Sequence, residues 1–159
     1  MPIPRIIWML LLSTLFLAAS SHHDNIAKQA IVKIYTTAKI PNYQEPWNSS
    51  MRSSTGSGAI IDGEYILTNA HVVANQAFIE VQRYGQRKRY IAKVYAVSHQ
   101  ADLALLKVED KAFFKGVKPL TFGTLPKVEQ KIVVYGYPMG GNTLSATIGV
   151  VSRVEHHVY

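Results

Sequence analysis

Two short apolar segments of the chain each carry one titratable side chain at the boundary of an expected strand: His71 in Thr68-Asn69-Ala70-His71-Val72-Val73, and Asp102 in Ala101-Asp102-Leu103-Ala104-Leu105-Leu106. A carboxylate that opens an apolar strand is expected to be partly buried, and a buried charge is costly unless it is paired and hydrogen-bonded. A histidine at the end of another strand of the same sheet can be that partner, donating from one ring nitrogen and leaving the other for a nucleophile. Ala70 and Ala101 are small enough to let the two strand ends approach. The chemistry would be that of a general base held by an orienting carboxylate. Singly, neither residue is diagnostic: one histidine among six is most often a surface or satisfied core residue, and an aspartate before a strand is commonly a turn residue.

The rest of the composition narrows the field. The chain has no cysteine, which excludes a disulfide scaffold, a thiolate zinc site, a cysteine nucleophile and a lipoprotein anchor, and leaves serine, histidine or carboxylate chemistry. With 48% hydrophobic and 17% charged residues, it is neither disordered nor a coiled coil, and its 159 residues suit one domain better than two. The formal net charge of +7 is basic but not extreme.

The elements that would position the pair read as short strands separated by turns. Residues 30–37 are rich in β-branched and aromatic side chains. Residues 41–55, with two prolines and many polar residues, read as a long loop with Trp47 exposed. Residues 56–61 and 65–69 form a hairpin around Asp62 and Gly63, and residues 78–83, 90–97 and 103–108 complete six strands. No long helical pattern lies between them, which argues for an antiparallel barrel or sandwich and against βαβ units. Residues 111–126 are irregular. Residues 131–137 and 143–155 make a further strand pair, and an isolated hairpin is marginal without more strands beside it. The expectation is therefore one complete barrel followed by a second domain inside which the sequence stops.

The first residues look like an export signal. One positive charge at Arg5 precedes a run of 14 residues, Ile6 to Ala19, interrupted only by Ser13 and Thr14, and the small residues Ala18 to Ser21 follow. A membrane span needs about 20 apolar residues, so residues 1–21 are expected to be a cleaved signal peptide, with an uncleaved anchor as the alternative. The protein would then be periplasmic or extracellular, with no stable membrane insertion after cleavage.

His71 and Asp102, 31 residues apart, gain weight from their company. The segments GSGAI, YILTNAHVV, ADLALLKV, VVYGYPMGG and SATIGVVSRVE together resemble the Deg/HtrA family of trypsin-like serine proteases, from about residue 30 to residue 154. The resemblance implies an all-β, chymotrypsin/trypsin-like double β-barrel, its first barrel complete and its second only begun, with residues 22–159 a protease domain truncated at its C-terminal end. It implies that His71 is the catalytic base and Asp102 its orienting acid, in the chain order His, Asp, Ser. In this fold the serine follows the aspartate by about 70 to 95 residues, which places it beyond residue 159. The family's Gly-Asn-Ser-Gly-Gly segment is absent from the sequence, and Ser145 and Ser152 have no glycine-rich turn around them. The oxyanion hole and primary specificity pocket would lie beyond the end as well, so this chain alone is expected to be inactive. The resemblance also implies polypeptide substrates, misfolded or unfolded proteins among them, and a homo-trimer. The alternative is a non-catalytic protease-like module that binds protein.

Other signals read more plainly. Residues 136–143 approach a phosphate-binding loop, but Asn142 stands where lysine is required and a strand follows instead of a helix, so they read as a turn with Gly140 and Gly141 at positive φ. Arg83, Arg87, Lys88 and Arg89 read as a solvated hairpin tip, and no nucleic acid is expected. His22 and His23 belong to a terminus, and His156 and His157 lack a metal-ligand partner at recognisable spacing. His99, three residues before Asp102, would compete for the base role but lies in a polar loop. No cofactor and no metal are expected.

Overall fold

The computed structural model describes residues 25–45, 47–138 and 141–155. The apolar leader, His22, His23, Gly140, His156 and His157 lie outside the described residues. Among the described residues there are eight strands: β1 (Ile31–Pro41), β2 (Ser49–Ile61), β3 (Tyr65–Thr68), β4 (Gln76–Arg83), β5 (Arg89–Ser98), β6 (Leu103–Val108), β7 (Lys131–Gly136) and β8 (Ser145–Val150). The first six close a barrel in the order β1-β2-β3-β6-β5-β4, with every pair antiparallel, and β7 and β8 form a separate hairpin. Closure leaves no free edge around the core of the barrel, and backbone polar groups along the ladders pair with neighbours. Among the described residues, no helix is long and apolar enough to cross a membrane.

The barrel interior follows from alternation along each strand. Val32 and Ile34 of β1, Ile60 of β2, Ile66 of β3, Ile79 and Val81 of β4, and Leu106 of β6 are all but completely buried. Phe113, in the 3₁₀ turn Lys111–Phe113, is fully buried and belongs to the same core, with Tyr90 edge-on to its ring at 5.1 Å. Buried branched side chains of this kind each contribute about 1.5–3 kcal/mol.

Two glycines of β2 let this small barrel fill without strain. A Cβ on Gly58 would lie 2.8 Å from Ile66 Cγ2 and 2.9 Å from Ile34 Cδ1; one on Gly56 would lie 2.6 Å from Val72 Cγ1. Val72 belongs to the 3₁₀ turn Ala70–Val73. Gly56 is therefore the gap against which the turn carrying His71 seats.

Residues 41–55 are not one loop. β1 and β2 continue pairing as far as Pro41 opposite Ser49, so the hairpin runs well beyond the core and turns over residues 42–48. Its outer half has little apolar alternation because no core packs against it, which is why the sequence reads there as loop. Tyr43 and Trp47 at its tip are 90% and 86% exposed.

The β7–β8 hairpin is tied to the barrel by polar contacts. Tyr137 N–H donates to Ser57 Oγ at 2.7 Å, and Lys33, 3% exposed, donates from Nζ to Gly141 O at 2.7 Å and Asn142 Oδ1 at 3.0 Å. Leu120 N–H donates to Ile60 O at 2.9 Å on the way between the two. Gly141 is not one of the left-handed glycines, which among the described residues are Gly63, Gly85 and Gly116. A Cβ there would meet Pro138 Cγ at 2.8 Å, so close packing and not φ requires glycine.

Arg87, Lys88 and Arg89 of the basic cluster are exposed, whereas Arg83 is partly buried. Arg83 Nη1 donates to Phe113 O and Lys115 O at 2.9 and 3.0 Å, Lys88 pairs with Asp110, and Arg89 pairs with Glu80.

Gly56→Ala is expected to lower stability by about 1–3 kcal/mol by overpacking against the stiff, branched Val72. Gly149→Ala, where a Cβ meets nothing within 4 Å, is the control and should melt with the wild type. Thermal unfolding followed by circular dichroism decides it, and equal midpoints for Gly56→Ala and wild type would contradict the packing account.

Candidate active site

β3 and β6 run antiparallel, with Thr68 opposite Ala104, so the end of β3 and the start of β6 share one rim of the barrel. That register brings together two residues far apart in sequence. His71 does not end a strand as its sequence context suggests. It lies in the 3₁₀ turn Ala70–Val73, which Val73 and Ala70 fix by burial, at 5% and 1% exposure, while Val72 seats against Gly56.

Asp102 precedes β6 at φ +50°, in the left-handed region where aspartate is one of the few tolerated residues. The turn from His99 supports it, Asp102 N–H donating to His99 O at 3.3 Å. His99 is thus placed in the turn that sets Asp102, and no side-chain bond joins it to the pair among the described residues.

The pair itself is fully formed. His71 Nδ1 lies 2.7 Å from Asp102 Oδ2, and the backbone N–H of His71 donates to Asp102 Oδ1 at 2.9 Å. An ionised carboxylate only accepts, so the short contact puts a proton on Nδ1 and leaves the Nε2 lone pair of the neutral ring free to take another. Asn69, to which no role attaches in the sequence, donates from Nδ2 to Asp102 O at 3.1 Å and to Oδ2 at 3.2 Å. The signal that could have found it is its place two residues before the histidine, at the head of the turn.

The site is open. The side chains of His71 and Asp102 are 71% and 45% exposed, so the aspartate is partly buried, as its position before an apolar strand suggests. Hydrogen bonding outweighs burial in setting its acidity. The His71 backbone N–H first, then the His71 ring N–H, with the Asn69 amide behind them, hold the Asp102 carboxyl below the ordinary aspartate range, and partial desolvation opposes them only in part. Among the described residues, no group of three or more His, Cys, Asp or Glu side chains is arranged to hold a metal ion.

The depressed carboxyl fixes a sign. The His71–Asp102 pairing contributes to stability above the ordinary aspartate pKa and is lost as pH falls through the lower folded value. Carbon-13 NMR of the Asp102 carboxyl should show a midpoint below that of ordinary aspartates. In His71→Ala it should rise yet stay low, because the backbone N–H, the largest cause, survives the substitution. A wild-type midpoint at or above the ordinary value would contradict the geometry.

Comparison with known proteins places this arrangement. Residues 56–158 match the family model described as "Trypsin-like peptidase domain". Protease Do-like 4, mitochondrial, of Arabidopsis thaliana is 40% identical over 88% of this chain and 27% of its own length. Protease Do-like 2, chloroplastic, of the same plant is 43% identical over 84% and 22%, and the serine protease DegP homolog of Plasmodium falciparum is 41% identical over 82% and 15%. The chain thus spans less than a third of each of these curated relatives. The active form of the Rv3671c protease from M. tuberculosis superposes with a TM-score of 0.61 at 30% identity, covering 78% of this chain and 48% of that one. An HtrA-type protease, AlgW, with a decapeptide superposes at 0.70 over 83% and 44%, and at 24% identity that likeness is one of fold. With a six-stranded barrel of the same fold and relatives named Do-like and DegP, the chain belongs to the trypsin-like peptidase family, within its Deg/HtrA group.

Proposed function

We propose that this chain supplies the base and the orienting acid of a serine endopeptidase acting on polypeptides. One observation carries the reading: the 2.7 Å contact between His71 Nδ1 and Asp102 Oδ2, which fixes the ring tautomer and leaves Nε2 as the acceptor. His71 Nε2 takes the proton of a serine hydroxyl as its oxygen attacks the scissile carbonyl carbon. Asp102 stabilises the imidazolium formed, and the same proton passes to the departing amine as the peptide C–N bond breaks. Water then repeats the sequence on the acyl-enzyme, releasing the acid and restoring the serine. The nucleophile is assigned to none of the described serines. Ser57 Oγ accepts from Tyr137 N–H and Ser98 Oγ from Ala101 N–H.

Export, read from the leader, and assembly in threes, implied by the resemblance, belong to the same proposal.

Activity of the complete gene product on an unfolded protein substrate tests the reading. His71→Ala should abolish turnover, because a serine hydroxyl without a base is a very weak nucleophile at neutral pH. Asp102→Asn should lower kcat by about four orders of magnitude, through loss of the productive tautomer. His99→Ala should change it by less than about tenfold, as expected of a residue outside the pair. Retained turnover in His71→Ala, or its loss in His99→Ala alone, would overturn the assignment. A complete gene product that binds unfolded protein without cleaving it would favour the protein-binding module instead.

A further inference from the structure

Asn69 heads the 3₁₀ turn that carries His71, with φ −84° and ψ 147°, the usual backbone of a residue that caps a turn with its side chain. It makes no such cap. Its amide nitrogen instead donates to two atoms of one other residue, the main-chain O and the carboxylate Oδ2 of Asp102. Both partners are acceptors, so the amide orientation is settled by chemistry: only the NH₂ group can face them, and its two hydrogens match the two oxygens.

Asp102 needs such support. Its φ of +50° is one that aspartate tolerates better than most non-glycine residues but still at a cost, which bonds holding the turn offset. The Asn69 amide closes a ring through the Asp102 main chain and side chain, and so limits both the turn of the peptide and the rotation of the carboxylate. The His71 backbone N–H takes the other carboxylate oxygen, Oδ1, from the same turn. Three donors from residues 69 and 71 thus converge on one carboxylate, and the ring N–H of the base meets the oxygen that Asn69 already holds. The site is exposed, so its shape does not come from tight burial and must come from these bonds.

Resting on the proposed peptidase reading, we propose that Asn69 is a positioning residue: its side-chain amide clamps left-handed Asp102 so that Oδ2 faces His71 Nδ1. It does not touch the substrate. It acts through Asp102 on the orientation of the base.

The discriminating variant is Asn69→Asp, which keeps the shape and the capping ability of asparagine, removes the donor and sets a like charge against Asp102. If Asn69 served the turn alone, Asn69→Asp and Asn69→Ser would behave as wild type, since both residues cap well. In the complete gene product the clamp predicts a fall in kcat of about tenfold to a hundredfold for Asn69→Asp and Asn69→Ala, the range for a lost bond to a charged group, with KM within about twofold. The far-downfield proton resonance of the His71 Nδ1–H should broaden or move upfield in both. Asn69→Ser, the least disruptive, gives the same readouts where a variant does not fold. Wild-type kcat and an unchanged resonance in Asn69→Asp would overturn the proposal. If His71→Ala is silent while Asn69→Asp is unaffected, the clamp fails and the peptidase reading stands. If His71→Ala remains active, that reading fails, and the resonance alone still decides whether Asn69 holds Asp102 against His71.

Discussion

The antiparallel pairing of β3 with β6 is the constraint on which the site depends. Thr68 opposite Ala104 fixes the register of the two strands, and with it the distance between the turn that follows one and the turn that precedes the other. A slip of one residue would turn the buried face of one of the two strands outward, exposing Ile66 or Leu106. The core thus specifies the register, and the register specifies the meeting of His71 and Asp102. The side chains that do chemistry contribute little burial of their own. They are placed by Ile66, Leu106, Ala70 and Val73, which do.

A second constraint lies at the junction between the barrel and the β7–β8 hairpin. Lys33 points its ammonium at two neutral oxygens and lies over the Tyr35 and Tyr137 rings at 5.0 and 5.9 Å, and no carboxylate pairs with it among the described residues. Carbonyl oxygens and aromatic faces together compensate a charge that is 3% exposed. With the Ser57 contact to Tyr137, this fixes Tyr137, Gly141 and Asn142 against the outside of β1 and β2. The same strand, β2, therefore holds the His71 turn through Gly56 and the second hairpin through Ser57, so one element relates the two parts of the molecule.

Much of this was legible in the sequence where burial leaves a pattern. The strands of the barrel core and the hairpin around Asp62 and Gly63 stand out because alternation and turn residues mark them, and the pair His71 and Asp102 stands out through its company in segments that resemble the Deg/HtrA family. The outer half of the β1–β2 hairpin does not, because Ser49 to Thr55 pair through their backbones while their side chains meet solvent, and polarity then reads as loop. The 3₁₀ turn under His71 is also hidden, since four residues of Ala, His and Val carry strand-like composition. Asn69 was missed for a different reason. Its partners lie more than thirty residues away, and a single asparagine before a turn signals a cap, which it does not make.

The central claim is that His71, held by Asp102, is the base that activates a serine. The most direct measurement is the rate at which a serine-directed fluorophosphonate modifies the complete gene product, in wild type and in His71→Ala. The account predicts rapid modification of the wild type and a His71→Ala protein that is modified only at the rate of an unactivated hydroxyl. Equal rates in the two proteins would contradict it.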